Sequence, residues 1–220
     1  MANHPISYDQ IALFEGIAPG ELDSLLPCLH HHTQDFRKGS YIFVEQDHVQ
    51  NVGIVLSGSV HMLKEDVWGN QTLIAHIGPG ELFGETFALR KQSHSYVSYL
   101  AARDTKVLFL SMENLLHPCP RQCPFHVLLS QNMYDLLGKK NIQLMERIEV
   151  SAKTTLRDKL LAYLSLQAQK QESEYFTVPL NRSEMASFLQ SNRSAMTREL
   201  NNMRDEGLID FDGNTFTLKA

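Results

Sequence analysis

The residues best suited to chemistry lie between Asn181 and Arg204. Asn181-Arg182-Ser183-Glu184 has the form of an N-cap followed three residues later by glutamate, a capping box that starts a helix. Met185, Ala186 and Leu189 give that helix an inner face. Gln190-Ser191-Asn192 then interrupts, and Ser191 or Asn192 can cap a second helix running to about Glu206. The apolar members of the second helix, Met196, Leu200 and Met203, fall at i, i+4 and i+7, one stripe to bury. The other side carries Arg193, Ser194, Thr197, Arg198, Asn201 and Arg204. Arginine can hold the O6 and N7 acceptors of guanine with two hydrogen bonds, and Ser or Thr can serve several base edges or a thymine methyl. Asn201 and Arg204, nearer the end of the second helix, suit phosphates, and Arg182 of the first helix is a further candidate DNA-binding residue. The same residues would also serve as an ordinary solvated helix face. What favours DNA is the order of elements: Ile209 to Phe211 and Thr215 to Leu218 flank Asp212-Gly213-Asn214, a hairpin placed as a wing directly after the second helix. Gln190 stands where such a turn usually has glycine.

A second group is softer. His117, Cys119, Cys123 and His126 lie within ten residues and could form a Cys₂His₂ zinc set, although their C-x₃-C spacing departs from the usual x₂. Cys119 and Cys123 could instead be a thiol pair that oxidises, or incidental residues in a proline-rich hinge; the expectation is no metal. An iron–sulfur cluster would want four cysteines, and Cys28, Cys119 and Cys123 are the only three. His61, His76 and His94 are candidate haem ligands of low specificity, and His30-His31-His32 reads as a solvated helix end. A cupin-type metalloenzyme would need His-x-His within a strand, and only the triplet at 30 to 32 offers one, so no enzyme is expected.

Three blocks must hold these residues in place. From Phe36 to Ser111, short runs of high strand propensity (Tyr41 to Val44, Val52 to Leu56, Val60 to Lys64, Thr72 to His76, Tyr96 to Ala101, Lys106 to Leu110) alternate with glycine turns, as in an antiparallel roll. Leu13, Phe14, Leu22, Leu25, Leu26 and Leu29 suggest short helices covering one side. Phe125 to Val150 contains no proline and reads as one long helix. Its Tyr134, Leu137, Asn141, Leu144 and Ile148 are spaced 3, 4, 3 and 4, the seam of a coiled coil with one polar residue to fix register. The same helix could instead pack on its own β domain. Thr155 to Ala168, with Leu156, Leu160, Leu161 and Leu164 on one stripe, opens the last block. The expected fold is α+β, with a sensing domain over 1–124, a connector helix over 125–150 and a winged helix-turn-helix over 151–220.

Composition fits. The chain has 220 residues, 43% hydrophobic and 20% charged, which suits a folded core. No apolar run reaches the roughly 20 residues of a membrane helix, and the start, MANHPISYDQ, lacks a secretory pattern, so the expected place is the cytoplasm. The formal charge of −5 argues against a basic nucleic-acid coat. It is unevenly distributed, however: residues 151–220 carry nine cationic and nine anionic residues, leaving the whole excess in 1–150.

Phe36-Arg37-Lys38-Gly39, Val55-Leu56-Ser57-Gly58-Ser59-Val60, Gly78-Pro79-Gly80-Glu81-Leu82-Phe83-Gly84-Glu85, the long helix and Arg193 to Arg198 occur in an order that resembles the Crp/Fnr superfamily of bacterial transcription regulators. The resemblance implies a cyclic-nucleotide-binding-type, cupin-like β-roll, a dimerisation helix and a winged helix. It further implies a homodimer on a palindromic operator of double-stranded DNA, contact with RNA polymerase, and control by a small effector. In cyclic-nucleotide binders a pair like Gly84-Glu85 holds phosphate and ribose, and an Arg-Ser pair about ten residues on neutralises the phosphate. Here those places hold Ser95 and Tyr96, so cyclic AMP is disfavoured and the effector stays unknown. Arg90, Lys91 and His94 could attract another anion or be a solvated loop. Where relatives carry a glutamate in the reading helix, this chain has Ser194, which implies a different half-site.

Overall fold

The computed structural model describes residues 5–90, 94–117 and 125–219. The chain divides into two compact units, residues 1–138 and 139–220.

In the first unit, two 3₁₀ turns (Tyr8–Gln10, Ala12–Phe14), helix α1 (Pro19–Leu25) and a third turn (Leu26–Leu29) precede the strands. The strands are β1 (His32–Phe36), β2 (Tyr41–Phe43), β3 (Asn51–Ser57), β4 (Val60–Glu65), β5 (Gln71–Ile77), β6 (Leu82–Phe83), β7 (Ser98–Ala101) and β8 (Thr105–Ser111). Helix α2 (Glu85–Ala88) falls between β6 and β7, and α3 (Met112–Leu116) follows β8. They form two antiparallel sheets, ordered β1-β8-β3-β6 and β2-β7-β4-β5. Val49, Val55, Val60, Phe83, Tyr99, Val107 and Phe109 form the buried cluster of the roll, with Phe43 edge-on to Tyr99 and Phe109. A second cluster joins Leu13, Phe14, Leu22, Leu25, Leu26 and Leu29 to Val52, Ile54, Leu108 and Leu110, and to Leu129 and Met133 of helix α4 (Phe125–Ser151). The leucines that suggested covering helices are therefore buried as expected.

Three local expectations change. Strand β1 was missed because it is exposed along nearly its whole length and has no apolar alternation; only pairing with β8 defines it. Within the histidine triplet, exposed His30 ends the third 3₁₀ turn at φ 46°, as expected of a solvated helix end, but His32 already opens β1 with its ring stacked on Phe109 at 5.1 Å. Strand β7 begins at Ser98 instead of Tyr96, because Ser95 forms a turn, its Oγ donating to the Val97 carbonyl at 2.6 Å.

The β4–β5 hairpin ends in a braced turn. The Asp66 carboxylate accepts from the amides of Trp68 and Asn70, both at 2.9 Å, and from the Asn70 side chain, and these bonds lower its pKa. Trp68, the chain's single tryptophan, is 83% exposed at this tip.

The second unit contains the C-terminal half of α4, α5 (Leu156–Lys170), α6 (Arg182–Phe188), α7 (Arg193–Asp205) and a sheet ordered β10-β11-β9. Its strands are β9 (Tyr175–Thr177), β10 (Ile209–Asp212) and β11 (Thr215–Leu218). One core holds Leu160, Leu164, Met185, Leu189, Met196, Leu200, Met203, Ile209 and Phe216. No described helix is long and apolar enough to cross a membrane.

Candidate functional site

Helix α6 starts at the capping box read from the sequence. Asn181 Oδ1 accepts from the amides of Ser183 at 2.9 Å and Glu184 at 3.0 Å, and the Glu184 side chain accepts from the Asn181 amide at 2.9 Å. It ends without glycine. Gln190 sits in the left-handed region at φ 52°, its amide donating to Ser187 O at 3.1 Å while the Ser191 amide donates to Ala186 O at 2.9 Å. These two bonds close a Schellman turn. Asn192 then caps α7 by accepting from the Ser194 amide at 2.8 Å.

Met196, Leu200 and Met203 are buried, which turns the opposite face outward. On that face Arg193, Ser194, Thr197, Arg198 and Asn201 line one shallow hollow. Thr197 Oγ1 donates back to the Arg193 carbonyl at 2.9 Å, so its free capacity is as an acceptor and an apolar methyl. Glu199 of α7 and Glu206, just past its end, are held by α5. Arg157 on α5 donates Nε to Glu199 at 2.6 Å and both terminal nitrogens to Glu206 at 2.8 and 2.7 Å. This fork holds the Glu206 carboxyl below its ordinary range.

The other two arginines of the expected set lie apart from the hollow. Arg204 has Cζ 5.0 Å from the centroid of the Phe211 ring on β10. Arg182 donates Nη2 to the Gly213 carbonyl at the hairpin turn at 2.7 Å, with Cζ 4.9 Å from Phe211 and 4.8 Å from Phe216. Burial lowers its pKa from the ordinary guanidinium value. The sequence reading set Arg182 among the candidate DNA-binding residues; the structure ties its guanidinium to the wing.

In the β-roll, Gly84 at φ 79° precedes α2, packed so that a Cβ would meet Val49 Cγ1 at 3.3 Å. Glu85 is 6% exposed and accepts from Thr86 Oγ1 at 3.4 Å. The residue that sequence reasoning missed is Tyr99: its buried hydroxyl is pushed well above the ordinary phenol pKa, first by burial and then by the nearby Glu85 charge. The inward alternation Val97, Tyr99, Ala101 was the available signal. Ser95 is fully buried with its hydroxyl committed to the Val97 backbone, while Tyr96 is exposed and edge-on to Phe87 at 5.1 Å. Arg90 is exposed. Lys64 Nζ donates to the Tyr96 carbonyl at 2.9 Å and pairs with Glu45, a cation the sequence had not marked.

Along α4, Tyr134 and Ile148 are each 68% exposed, with Asn141 and Leu144 also outward. Leu137 departs from this seam, because it packs against the core of its own unit. Cys119 and Cys123 lie outside the described residues. Among the described residues no group of three or more His, Cys, Asp or Glu could hold a metal. His61 and His76 are cross-strand partners with rings 5.3 Å apart, and His94 bridges to His48.

The comparisons with known proteins agree with this anatomy. A cyclic nucleotide-binding domain model matches residues 33–119 and a Crp-like helix-turn-helix domain model matches residues 158–220. The chain is 28% identical over 198 residues to the cyclic AMP receptor protein of Thermus thermophilus, covering 90% of this chain and 87% of that one. A CooA variant from Carboxydothermus hydrogenoformans superposes with a TM-score of 0.69 at 20% identity, over 97% of this chain and 92% of that chain. The c-di-GMP responsive global regulator CLP of Xanthomonas campestris gives 0.66 at 19%, over 92% and 100%. At these identities the two structures speak for the fold alone. With both domain models in tandem, matching the roll and the winged helix in their order along the chain, this protein belongs to the Crp/Fnr superfamily of transcription regulators.

Proposed function

We propose that this protein is a homodimeric, sequence-specific DNA-binding regulator that reads a palindromic operator. The observation that carries this reading is the outward face of α7: Arg193, Ser194, Thr197, Arg198 and Asn201 surround one hollow over a fully buried stripe, while Glu199 of the same helix is paired with Arg157 of α5. Such a face fits the major groove, arginines taking guanine edges and the serine and threonine serving smaller base groups. In this reading residues 151–220 bind DNA, 125–150 connect and dimerise, and 1–124 sense. The exposed Tyr134, Asn141, Leu144 and Ile148 support pairing of two α4 helices. RNA polymerase is the further partner and the cytoplasm the place of action.

The effector is a small molecule other than cyclic AMP, contacted through Gly84, Glu85 and Arg90. Ser95 and Tyr96 bring no cation where a phosphate would need one. An unneutralised phosphate in a partly buried site is costly. The effector acts by biasing two arrangements of the dimer that differ in the spacing of their reading helices.

Selection of duplexes from a random-sequence pool, followed by gel shift, tests the reading. The expected result is a palindromic consensus bound more tightly than random DNA; enrichment of no sequence overturns it. Calorimetry with cyclic AMP should show no micromolar binding.

A further inference from the structure

One feature of the second unit is not explained by the reading face of α7. Phe211 on the wing strand β10 has two guanidinium groups over its ring, Arg204 from the end of α7 at 5.0 Å and Arg182 from the start of α6 at 4.9 Å. Arg182 also lies over Phe216 on β11 at 4.8 Å and holds the Gly213 carbonyl at the wing turn at 2.7 Å. The wing strand β10 is the edge strand of a small three-stranded sheet, paired on one side only, by β11. Here the tip of the wing and one ring of each strand meet at one planar cation from α6, and α7 reaches the same Phe211 ring through Arg204. Lysine could not reproduce that arrangement, because it is a point charge without a flat face to stack on two rings. Arg182 is also badly placed to neutralise a phosphate. Its Nη2 is taken by the carbonyl, and its Nη1 is buried without a hydrogen-bond partner among the described residues.

We propose that Arg182 is a positioning residue that fixes the wing against the recognition helix, so that both reach the DNA in one register, and that it does not itself contact phosphate. The inference rests on the DNA-binding reading above. Its work is done through the Phe211 ring and the Gly213 carbonyl.

The test compares Arg182→Lys, Arg182→Gln, Phe211→Leu and the Gln/Leu double variant in the full-length chain, on the duplex the wild type selects from the random pool. Affinity is measured across a salt series. If Arg182 positions the wing, Lys and Gln both weaken binding about tenfold. Phe211→Leu does likewise, and the double variant is little worse than either single, since all act on one contact. The slope of log affinity against log salt then stays within the wild-type error. A rescue by Lys, with Gln lowering that slope by about 0.9 for each phosphate lost per subunit, identifies a phosphate contact and overturns the proposal. Amide hydrogen exchange of the DNA-free protein is the separate arm. Arg182→Gln should speed exchange in 209–218 while leaving α5 unchanged, and equal protection in the two proteins overturns the proposal. Failure of the wild type to select any duplex sinks the DNA-binding reading and leaves this exchange result standing on its own.

Discussion

Gln190 shows how a single backbone position resists reading from sequence. A turn between two helices wants a left-handed residue, which costs a side-chain-bearing residue about 1 kcal/mol or more relative to glycine. The sequence offers glutamine, and the structure accepts that cost because both Schellman hydrogen bonds close around it. Gln190→Gly should therefore stabilise the C-terminal unit by about 0.5 kcal/mol, the relief of strain less the extra freedom glycine gives the unfolded chain, read as a higher urea midpoint. On the reading face, Arg198→Ala should cost about 1–3 kcal/mol of discrimination at the base it contacts, while Ser194→Glu should shift the preferred base at its position toward cytosine. Selection repeated with each variant measures both. The polar residues of α7 were legible because the buried Met196, Leu200 and Met203 fix its orientation at helical spacing. Arg182 was not, because nothing in its local sequence announces Phe211 or Gly213, both about 30 residues on.

At the scale of elements, the joint between α5 and α7 predicts an acid response. Arg157 holds Glu206 ionised below the ordinary carboxylate value of 4.5, and Lys219 with the Phe211 amide does the same for Asp210. The folded unit thus takes up protons at lower pH than the unfolded chain. This stabilisation is complete above about pH 4.5 and is lost as pH falls through the depressed folded values. Thermal melts followed by far-ultraviolet dichroism should show the decline, and Arg157→Met should shrink the difference in melting temperature between neutral and acid pH. The element pattern itself was mostly readable. β3 and β8 are nearly continuous buried runs and α5 has a clear stripe. β1 and the two-residue β6 were hidden because pairing partners, not their own sequences, make them strands.

For the whole molecule, the proposed dimer rests on the exposed residues of α4, Tyr134, Asn141, Leu144 and Ile148. Replacing Leu144 or Ile148 by glutamate should shift sedimentation from dimer to monomer and weaken operator binding together, because two half-sites held by one particle bind far more tightly than one. Asn141→Leu should strengthen association while relaxing register. The uneven charge adds a second expectation: with no net charge in 151–220, operator affinity should be modest and should fall steeply with salt. Finally, the braced hairpin tip has an optical consequence. The chain's single indole is on the β4–β5 turn and already faces water, so its fluorescence should scarcely change as the core melts. That silence makes Trp68 a built-in reporter of anything that docks on the hairpin, with a blue-shifted emission marking the encounter against an almost flat background.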